Sequence, residues 1–267
     1  MCAVSYLNTV PLVWGMLHGP QSSAVNLTFE LPATCARQLK EGSTDIGLIP
    51  VGALLDQPLE IFRGTGIACR GPVRSILLVS KVPFGEIRTL ALDSSSRSSV
   101  LLTRIILARR YGVEPELVSL PPDLAAMLDA ADACLVIGDP ALLLDPAELR
   151  ASGFHVADLG EAWVEMTGLP MVFAVWAGQQ GTLSPQREQL FFDSWRFGMD
   201  RINDIVAAEH ARRGVTAAVA HHYLTHHIAF DLGHREYAGM KLYLQYAADL
   251  LQSASVKANA PTRTIAL

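Results

Sequence analysis

MCAVSYLNTVPL, residues 1–12, joins a short apolar strand to a helix and places polar side chains at the junction. Pro11 marks the first turn of that helix. A strand that runs directly into a helix leaves backbone N–H groups unpaired at the helix end, where the helix dipole is positive. The junction is therefore a candidate seat for a small anion, with Ser5, Tyr6 and Asn8 beside it.

The alternation of strand and helix continues along the chain. Apolar segments such as DIGLIP and ACLVIG are typical of strands buried on both faces, and helical segments separate them. The predicted strands are residues 3–5, 45–50, 75–79, 89–92, 133–137, 154–157 and 172–176. The predicted helices are residues 11–18, 34–41, 98–111, 122–130, 140–144, 160–167, 185–209, 216–227 and 234–252. This order predicts an α/β fold with a buried parallel sheet covered by helices.

The chain is expected to form two lobes. Its pattern changes after Gly181, where the predicted strands stop and a helical segment follows. Such a tail is typical of a binding protein whose C-terminal helices return to the first lobe, and residues 81–88 and 170–172 are the predicted crossovers. The predicted units are a discontinuous first lobe, residues 1–82 and 172–267, and a second lobe, residues 83–171, with a ligand cleft between them.

Composition excludes several classes of protein. The 267 residues are 50% hydrophobic and 18% charged, with a mean hydropathy of +0.27, which indicates a globular chain rather than a disordered one. The net charge of −5 and the scattered arginines argue against a nucleic-acid partner. No apolar run reaches the roughly 18 residues of a membrane helix, and no secretion signal is recognisable. We expect a cytoplasmic protein with a small-molecule partner and no membrane partner.

The cysteine pattern is consistent with a reducing compartment. Cys2, Cys35, Cys69 and Cys134 show no CxxC spacing. They are therefore predicted to be reduced and mostly buried, as small hydrophobic side chains.

Asn8 and Ser75 are the first candidate site residues. Asn8 follows the first strand, where the end of a sheet strand meets ligands in α/β folds, and an N-cap of the following helix is the alternative interpretation. Ser75 follows a turn at Gly71 and Pro72 in RGPVRS and begins a strand, so its hydroxyl could face the same crevice.

SRSSV, residues 96–100, is a helix start with hydroxyls at Ser96, Ser98 and Ser99, a pattern typical of a carboxylate or phosphate cradle. The helix end alone contributes only about 0.3–2 kcal/mol per charge, so tight anion binding also requires a guanidinium from Arg97 or Arg74. Simple capping hydroxyls and solvated arginines are the alternatives.

Gly138 and Asp139 directly follow the apolar strand ACLVI and are further candidate ligand contacts. Asp139 can equally cap the helix that begins at Pro140. His222 and His226 have the spacing of metal ligands on a helix, but without a convincing third ligand we expect an exposed or partner-packed histidine face and no metal. Nucleotide, flavin and serine-hydrolase motifs are missing, so no cofactor is expected.

A series of ordered segments resembles the MqnA family, the chorismate dehydratases of the futalosine route to menaquinone. The segments are VSYLNTVPL, DIGLIPV, RGPVRSILL, LDSSSRSSV, LVIGDPAL, DLGEAWVEMTGLPMVFAVW and YLTHHIAFDLG with EYAGMKLY. The resemblance implies a two-lobed type II periplasmic-binding-protein fold with a helical C-terminal segment, used by a cytoplasmic enzyme. It also implies a cofactor-free loss of water from chorismate that yields 3-[(1-carboxyvinyl)oxy]benzoate.

The resemblance assigns roles to particular residues. Asn8 and Ser75 match catalytic cleft positions, and Ser98 and Ser99 match a carboxylate seat. The sequence departs from the family pattern at Ser98, where Thr is common, and at Val51, where Ser is frequent. Together with the residues above, the candidate substrate-binding set is Ser5, Tyr6, Arg74, Ser96, Arg97, Ser98, Ser99, Gly138 and Asp139.

The matched segments contain no obvious protein base, which suggests that the enolpyruvyl carboxylate of the substrate takes the proton. Glu161 and Asp139 are the protein bases to test against this hypothesis. Two other functions remain open: the related dihydroxynaphthoate synthase, whose N-terminal segment resembles SPCPND rather than SYLNTVPL, and a non-catalytic cytoplasmic small-anion binding or sensor protein.

Overall fold

The computed structural model describes residues 1–93 and 97–258, which form two β-sheets flanked by helices. The strands are β1 (Cys2–Val4), β2 (Thr28–Glu30), β3 (Ile46–Pro50), β4 (Glu60–Cys69), β5 (Ile76–Ser80), β6 (Thr89–Leu92), β7 (Glu116–Ser119), β8 (Ala133–Ile137), β9 (His155–Asp158), β10 (Met171–Gly178) and β11 (Ala229–Asp231). The helices are α1 (Val10–His18), α2 (Pro32–Lys40), α3 (Arg97–Ile106), α4 (Leu124–Ala130), α5 (Asp139–Leu142), α6 (Pro146–Ala151), α7 (Leu159–Thr167), α8 (Pro185–Met199), α9 (Ile202–Glu209), α10 (Ala217–His222) and α11 (His234–Ala258). The predicted α/β class is confirmed.

The two sheets contain both parallel and antiparallel strands. The first sheet has the order β11-β4-β10-β3-β1-β2, with β10 antiparallel to β3 and β4. The second has the order β7-β6-β8-β5-β9, with β5 antiparallel to β8 and β9. The prediction of a parallel sheet was therefore wrong for these strands. A strand buried on both faces is continuously apolar in either direction, so its sequence does not reveal how it pairs.

The chain passes between the sheets at two short connections, residues 70–75 and 168–170. The predicted boundary at residue 82 grouped β5 with the first sheet, whereas its hydrogen bonds place it in the second. The segment 81–88, predicted as a crossover, instead joins β5 to β6 within the second sheet. The turn at Gly71 and Pro72 in RGPVRS instead lies in the connection from the first sheet to the second.

The helical tail also carries a strand that the sequence pattern missed. β11 pairs with β4, so strands do not stop after residue 181. β4 itself was missed because Gly64, Gly66 and polar side chains interrupt its apolar pattern. The tail packs on the start of the chain: the Ser194 hydroxyl in α8 donates to the Leu12 carbonyl at 2.8 Å in α1.

Two of the four cysteines form a disulfide, in contrast to the prediction that all are reduced. Cys2 of β1 and Cys35 of α2 are bonded, with their Cα atoms 5.7 Å apart. Residues 33 positions apart give no sign of this proximity in the sequence, because it arises from the packing of α2 on β1. Cys69 and Cys134 are free and buried, as predicted.

The apolar core lies along both sheets and includes the side chains of Trp163 and Trp176, both fully buried. Trp176 of β10 stacks on Phe191 of α8 with ring centroids 4.6 Å apart. Both tryptophans are therefore packing residues. Among the described residues, no helix combines the length and apolar character needed to cross a membrane.

Candidate functional site

A cavity lies where the ends of several strands from both sheets meet. It contains about 520 Å³ of space free of protein atoms, part of it open solvent. Its walls include apolar side chains from β1, β4, β5, β8 and β10. The predicted site residues that line it are Tyr6, Asn8, Ser75, Ser98, Ser99 and Gly138.

Asn8 and Ser75 are linked through Tyr223. Asn8 lies in a single 3₁₀ turn between β1 and α1, and its Nδ2 donates to the Tyr223 hydroxyl at 2.9 Å. The Tyr223 hydroxyl donates to Ser75 Oγ at 2.8 Å. The residue at the start of α1 is Thr9, which makes no side-chain capping bond, so the capping interpretation of Asn8 was wrong.

Tyr223 is the site residue that sequence reasoning missed. It lies in a π-helical turn, Tyr223–His227, that follows α10, and it is only 2% exposed. Burial raises the pKa of its phenol above the usual range, so the group is neutral and keeps its proton. A buried tyrosine hydroxyl requires a hydrogen-bond partner. Nothing in the sequence identifies Ser75 and Asn8 as these partners, because they lie 148 and 215 positions away.

Ser98 in the first turn of α3 connects this helix to the first sheet. Its Oγ accepts a hydrogen bond from the Gly52 backbone N–H at 2.9 Å, in the turn after β3. The Tyr243 hydroxyl of α11 donates to the Ser98 carbonyl at 3.1 Å. Ser99 lines the same wall, whereas Ser96 lies outside the described residues.

Gly138 follows β8 and allows a close approach of Tyr6. Its φ of +68° is in the left-handed region, and a Cβ added to it would lie 2.7 Å from the Tyr6 ring. Its N–H donates to the Ser75 carbonyl at 2.8 Å, which fixes the backbone beside the Ser75 side chain. Gly138 therefore shapes the cavity wall through its backbone.

Asp139 does not line the cavity and does not cap α5. Its Oδ1 accepts from the Leu7 N–H at 3.0 Å, and its Oδ2 forms an ion pair with Arg213. The Arg213 guanidinium also donates to the Ser5 carbonyl at 2.9 Å, and the Ser5 residue itself is exposed. These contacts join the end of β8 to the segment after β1, so Asp139 connects the two sheets.

Neither Arg74 nor Arg97 lines the cavity, so the structure does not provide the expected guanidinium grip. Arg74 has a positive φ of 67°, and its guanidinium donates to carbonyls at the end of α5, Ala141 (2.9 Å) and Leu144. Arg97 is exposed and pairs with Asp56. Arg74 therefore binds carbonyls at a helix end, and Arg97 binds a nearby carboxylate, in place of an anion in the cavity.

The cavity therefore offers hydroxyls, one amide and backbone groups in an apolar surround. Its described lining includes no carboxylate, imidazole or amine. Such a lining can hold a small polar ligand and shield it from water, but it supplies no protein base. Glu161 lies in the first turn of α7 and is not among the lining residues.

His222 and His226 do not line the cavity. The His222 and His226 rings stack with centroids 4.4 Å apart, and both residues are exposed. In the described part of the chain, no group of three or more His, Cys, Asp or Glu side chains could hold a metal.

Sequence comparison relates the chain to a protein family and to a curated enzyme. A protein-family profile described as menaquinone biosynthesis matches residues 1–249. A curated chorismate dehydratase of Thermus thermophilus is 28% identical over 255 residues, which cover 90% of this chain and 92% of that protein.

Solved structures show which fold the two sheets build. A crystal structure of an Archaeoglobus fulgidus protein has a TM-score of 0.71 at 21% identity and covers 94% of this chain and 97% of its own. The periplasmic aliphatic sulphonate binding protein of Escherichia coli has a TM-score of 0.63 at 17% identity, covering 96% and 92%. A conserved Candida albicans protein described as having the generic periplasmic binding protein fold scores 0.60 at 12% identity, covering 93% and 89%. The predicted periplasmic-binding-protein-like fold is confirmed.

Proposed function

The chain belongs to the menaquinone biosynthesis family, and we propose that it is a cytoplasmic chorismate dehydratase that converts chorismate to 3-[(1-carboxyvinyl)oxy]benzoate and water. The observation that carries the proposal is the convergence of Asn8, Ser75, Ser98 and Ser99 on one apolar cavity. These are the residues that the resemblance assigns to the substrate. No cofactor takes part in the proposed reaction.

The reaction suits a cavity with this lining. Loss of the C3 proton of chorismate leaves a carbanion that is delocalised through the ring diene into the C1 carboxylate. Departure of the C4 hydroxyl as hydroxide then makes the ring aromatic, and the proton and hydroxide together form water. Because aromatisation favours the product, the protein need only lower the barrier.

The proposed roles follow from where each group lies. Ser98, Ser99 and the N-terminal N–H groups of α3 bind the ring carboxylate and stabilise its developing charge. Asn8 and Ser75 orient the reacting face. The apolar walls keep water away, which strengthens each of these polar contacts.

We propose that the substrate supplies the base. The cavity's described lining contains no group that could take the C3 proton, and the enolpyruvyl carboxylate is part of the same molecule. A protein base would replace this account if Glu161→Gln or Asp139→Asn abolished turnover while chorismate still bound. We also propose that the two sheets form the cores of two lobes that close on the substrate.

The experiment compares product formation by the wild-type protein with that of Asn8→Ala and Ser75→Ala. Chromatography should show conversion of chorismate by the wild type and a loss of turnover of about a hundredfold in each variant, because both contacts act on the reacting face. Ser22→Ala is the matched control, since Ser22 is exposed, does not line the cavity and should leave turnover unchanged. Chorismate binding without any product would instead favour the sensor function.

A further inference from the structure

The hydrogen bonds around Tyr223 have a defined direction. A neutral phenol has one hydrogen, and here it is donated to Ser75 Oγ at 2.8 Å. The phenol oxygen in turn accepts a hydrogen from Asn8 Nδ2 at 2.9 Å. The chain therefore runs from Asn8 through Tyr223 to Ser75, and it joins three segments that are distant in sequence.

This direction determines what Asn8 and Ser75 can offer a ligand. Because the Asn8 Nδ2 donates to Tyr223, the Asn8 Oδ1 is the atom of this amide that can still bind a ligand. In the described part of the chain this atom is buried and has no hydrogen-bond partner. A buried acceptor without a partner is costly, and a donor on a bound ligand would satisfy it. Ser75 Oγ already accepts from Tyr223, so its own hydrogen remains to be donated.

We propose that Tyr223 is a positioning residue that fixes the hydrogen-bond polarity of the cavity, so that Asn8 accepts a hydrogen bond from the ligand and Ser75 donates one. The ligand must then present a donor to Asn8 and an oxygen acceptor to Ser75.

The identity of that donor rests on the proposed function. Both carboxylates of chorismate are ionised near neutral pH, so its C4 hydroxyl is its one hydrogen-bond donor. That hydroxyl, the group that leaves, is therefore the part of the substrate that faces Asn8 Oδ1. An oxygen of the same molecule accepts from Ser75.

The first test removes the phenol oxygen with Tyr223→Phe and leaves the ring in place. We expect kcat to fall about tenfold while KM changes less than about threefold, because orientation of the bound substrate is lost rather than overall contact. Tyr237→Phe is the matched control: its hydroxyl accepts from the Gly64 N–H at 2.9 Å, and it does not line the cavity. It should keep the wild-type kcat and KM.

A double-mutant cycle separates positioning from a general loss of structure. If Tyr223 acts through Ser75, then adding Tyr223→Phe to Ser75→Ala should lower kcat much less than it does in the wild type. Equal losses in both backgrounds, or an unchanged kcat in Tyr223→Phe, would overturn the positioning role.

A second measurement does not depend on folding of the Tyr223 variant. The product lacks the C4 hydroxyl, so in the slowly reacting Ser75→Ala background the addition of Asn8→Ala should weaken the binding of chorismate about tenfold in titration calorimetry and that of the product far less. Equal weakening of both would overturn the assignment of Asn8 as an acceptor. Wild-type protein that does not convert chorismate would overturn the proposed function and the substrate assignment together, whereas active wild type with an unaffected Tyr223→Phe overturns the positioning role alone.

Discussion

Gly138 allows the end of β8 to approach Tyr6 at the cavity wall, and replacing it should disturb that wall. Gly138→Ala adds a methyl 2.7 Å from the Tyr6 ring to a backbone with φ of +68°. With a ψ of −147°, this backbone lies in a region that essentially only glycine adopts, so the backbone alone should cost about 1–3 kcal/mol of unfolding free energy, and the contact with Tyr6 should add to this.

Gly112→Ala is the control for a positive φ in open space, because Gly112 has a φ of +71° and a ψ of 21°, in the left-handed α region, and nothing within 4 Å of an added Cβ. Urea denaturation should show the smaller loss for Gly112→Ala, and only Gly138→Ala should lower turnover. Equal losses of stability and unchanged turnover in both variants would show that the contact with Tyr6 is unimportant.

For single residues, the sequence predicted which of them lie at the cavity better than it predicted which groups their side chains contact. Asn8, Ser75 and Gly138 were found because polar or small residues at the ends of strands from both sheets meet at the cavity. Arg74 and Arg97 were placed in the site because a guanidinium suits a carboxylate, yet each finds partners elsewhere in the fold. A long flexible side chain can reach several partners, and its sequence position does not select among them.

Asp158 holds together a helix start and the connection between the sheets. Its carboxylate accepts hydrogen bonds from the backbone N–H groups of Val73 (2.9 Å), Arg74 (2.6 Å), Gly160 (2.9 Å) and Glu161 (3.1 Å). Asp158→Ala leaves all four donors without this partner, and we expect a loss of about 3 kcal/mol in unfolding free energy.

Turnover should fall as well, because residues 73 and 74 lead directly into Ser75. Asp123→Ala is the control, since Asp123 caps α4 through one bond, to the Ala126 N–H at 2.9 Å, and should cost about 1 kcal/mol. Thermal or urea unfolding measures both variants, and similar losses for the two would contradict the role given to Asp158.

Asp132 connects β6 to β8 and makes this part of the fold sensitive to acid. Bonds from the backbone N–H groups of Arg88 and Thr89 hold the pKa of its carboxyl below the usual value. A lowered pKa means that the carboxylate stabilises the folded state above the unfolded pKa, and that this contribution disappears as the pH falls through the folded pKa. Asp132→Asn should therefore lower stability at neutral pH, by under about 1 kcal/mol because the group is partly solvated.

Urea unfolding near pH 7 and again near pH 2.5 measures this difference, which should shrink at the lower pH. The exposed Asp129 of α4 provides the control, and Asp129→Asn should change stability little at either pH. A deficit for Asp132→Asn that is undiminished in acid would show that something other than its charge is responsible.

Secondary-structure elements were predicted well where the pattern was long and apolar, as in β3 and β8. The antiparallel direction of β5 and β10 was not predicted. A strand covered on both faces is uniformly apolar, so its pattern is the same in either direction. The short edge strand β2 has largely exposed residues and no apolar period to reveal it. Register and strand order depend on contacts between segments far apart in the chain, which a local pattern does not contain.

At the scale of the whole molecule, Arg213 stabilises the arrangement in which the two sheets enclose the cavity. Its guanidinium, 15% exposed, pairs with Asp139 after β8 and with Glu209 at 2.9 Å, and donates to the Ser5 carbonyl after β1. Arg213→Gln should favour more open forms, raise KM for chorismate about tenfold and increase the radius of gyration in solution scattering.

Arg212→Gln is the neighbouring control. Arg212 also pairs with Glu209, at 2.8 Å, but its side chain is 74% exposed and it makes no contact with Asp139 among the bonds described. KM and the radius of gyration should stay at the wild-type values in this variant. Identical behaviour of the two variants would contradict a specific role of Arg213 in closure.

The proposed function requires that the cavity between the sheets converts chorismate and does not merely bind it. Proton NMR of chorismate mixed with the wild-type protein, without added metal or cofactor, follows the ring directly. We predict that the diene signals decay as signals of a 1,3-disubstituted benzoate grow in equal amount, with the enolpyruvyl group intact. Chorismate signals that broaden on binding and persist unchanged in amount would show that the protein binds chorismate without converting it.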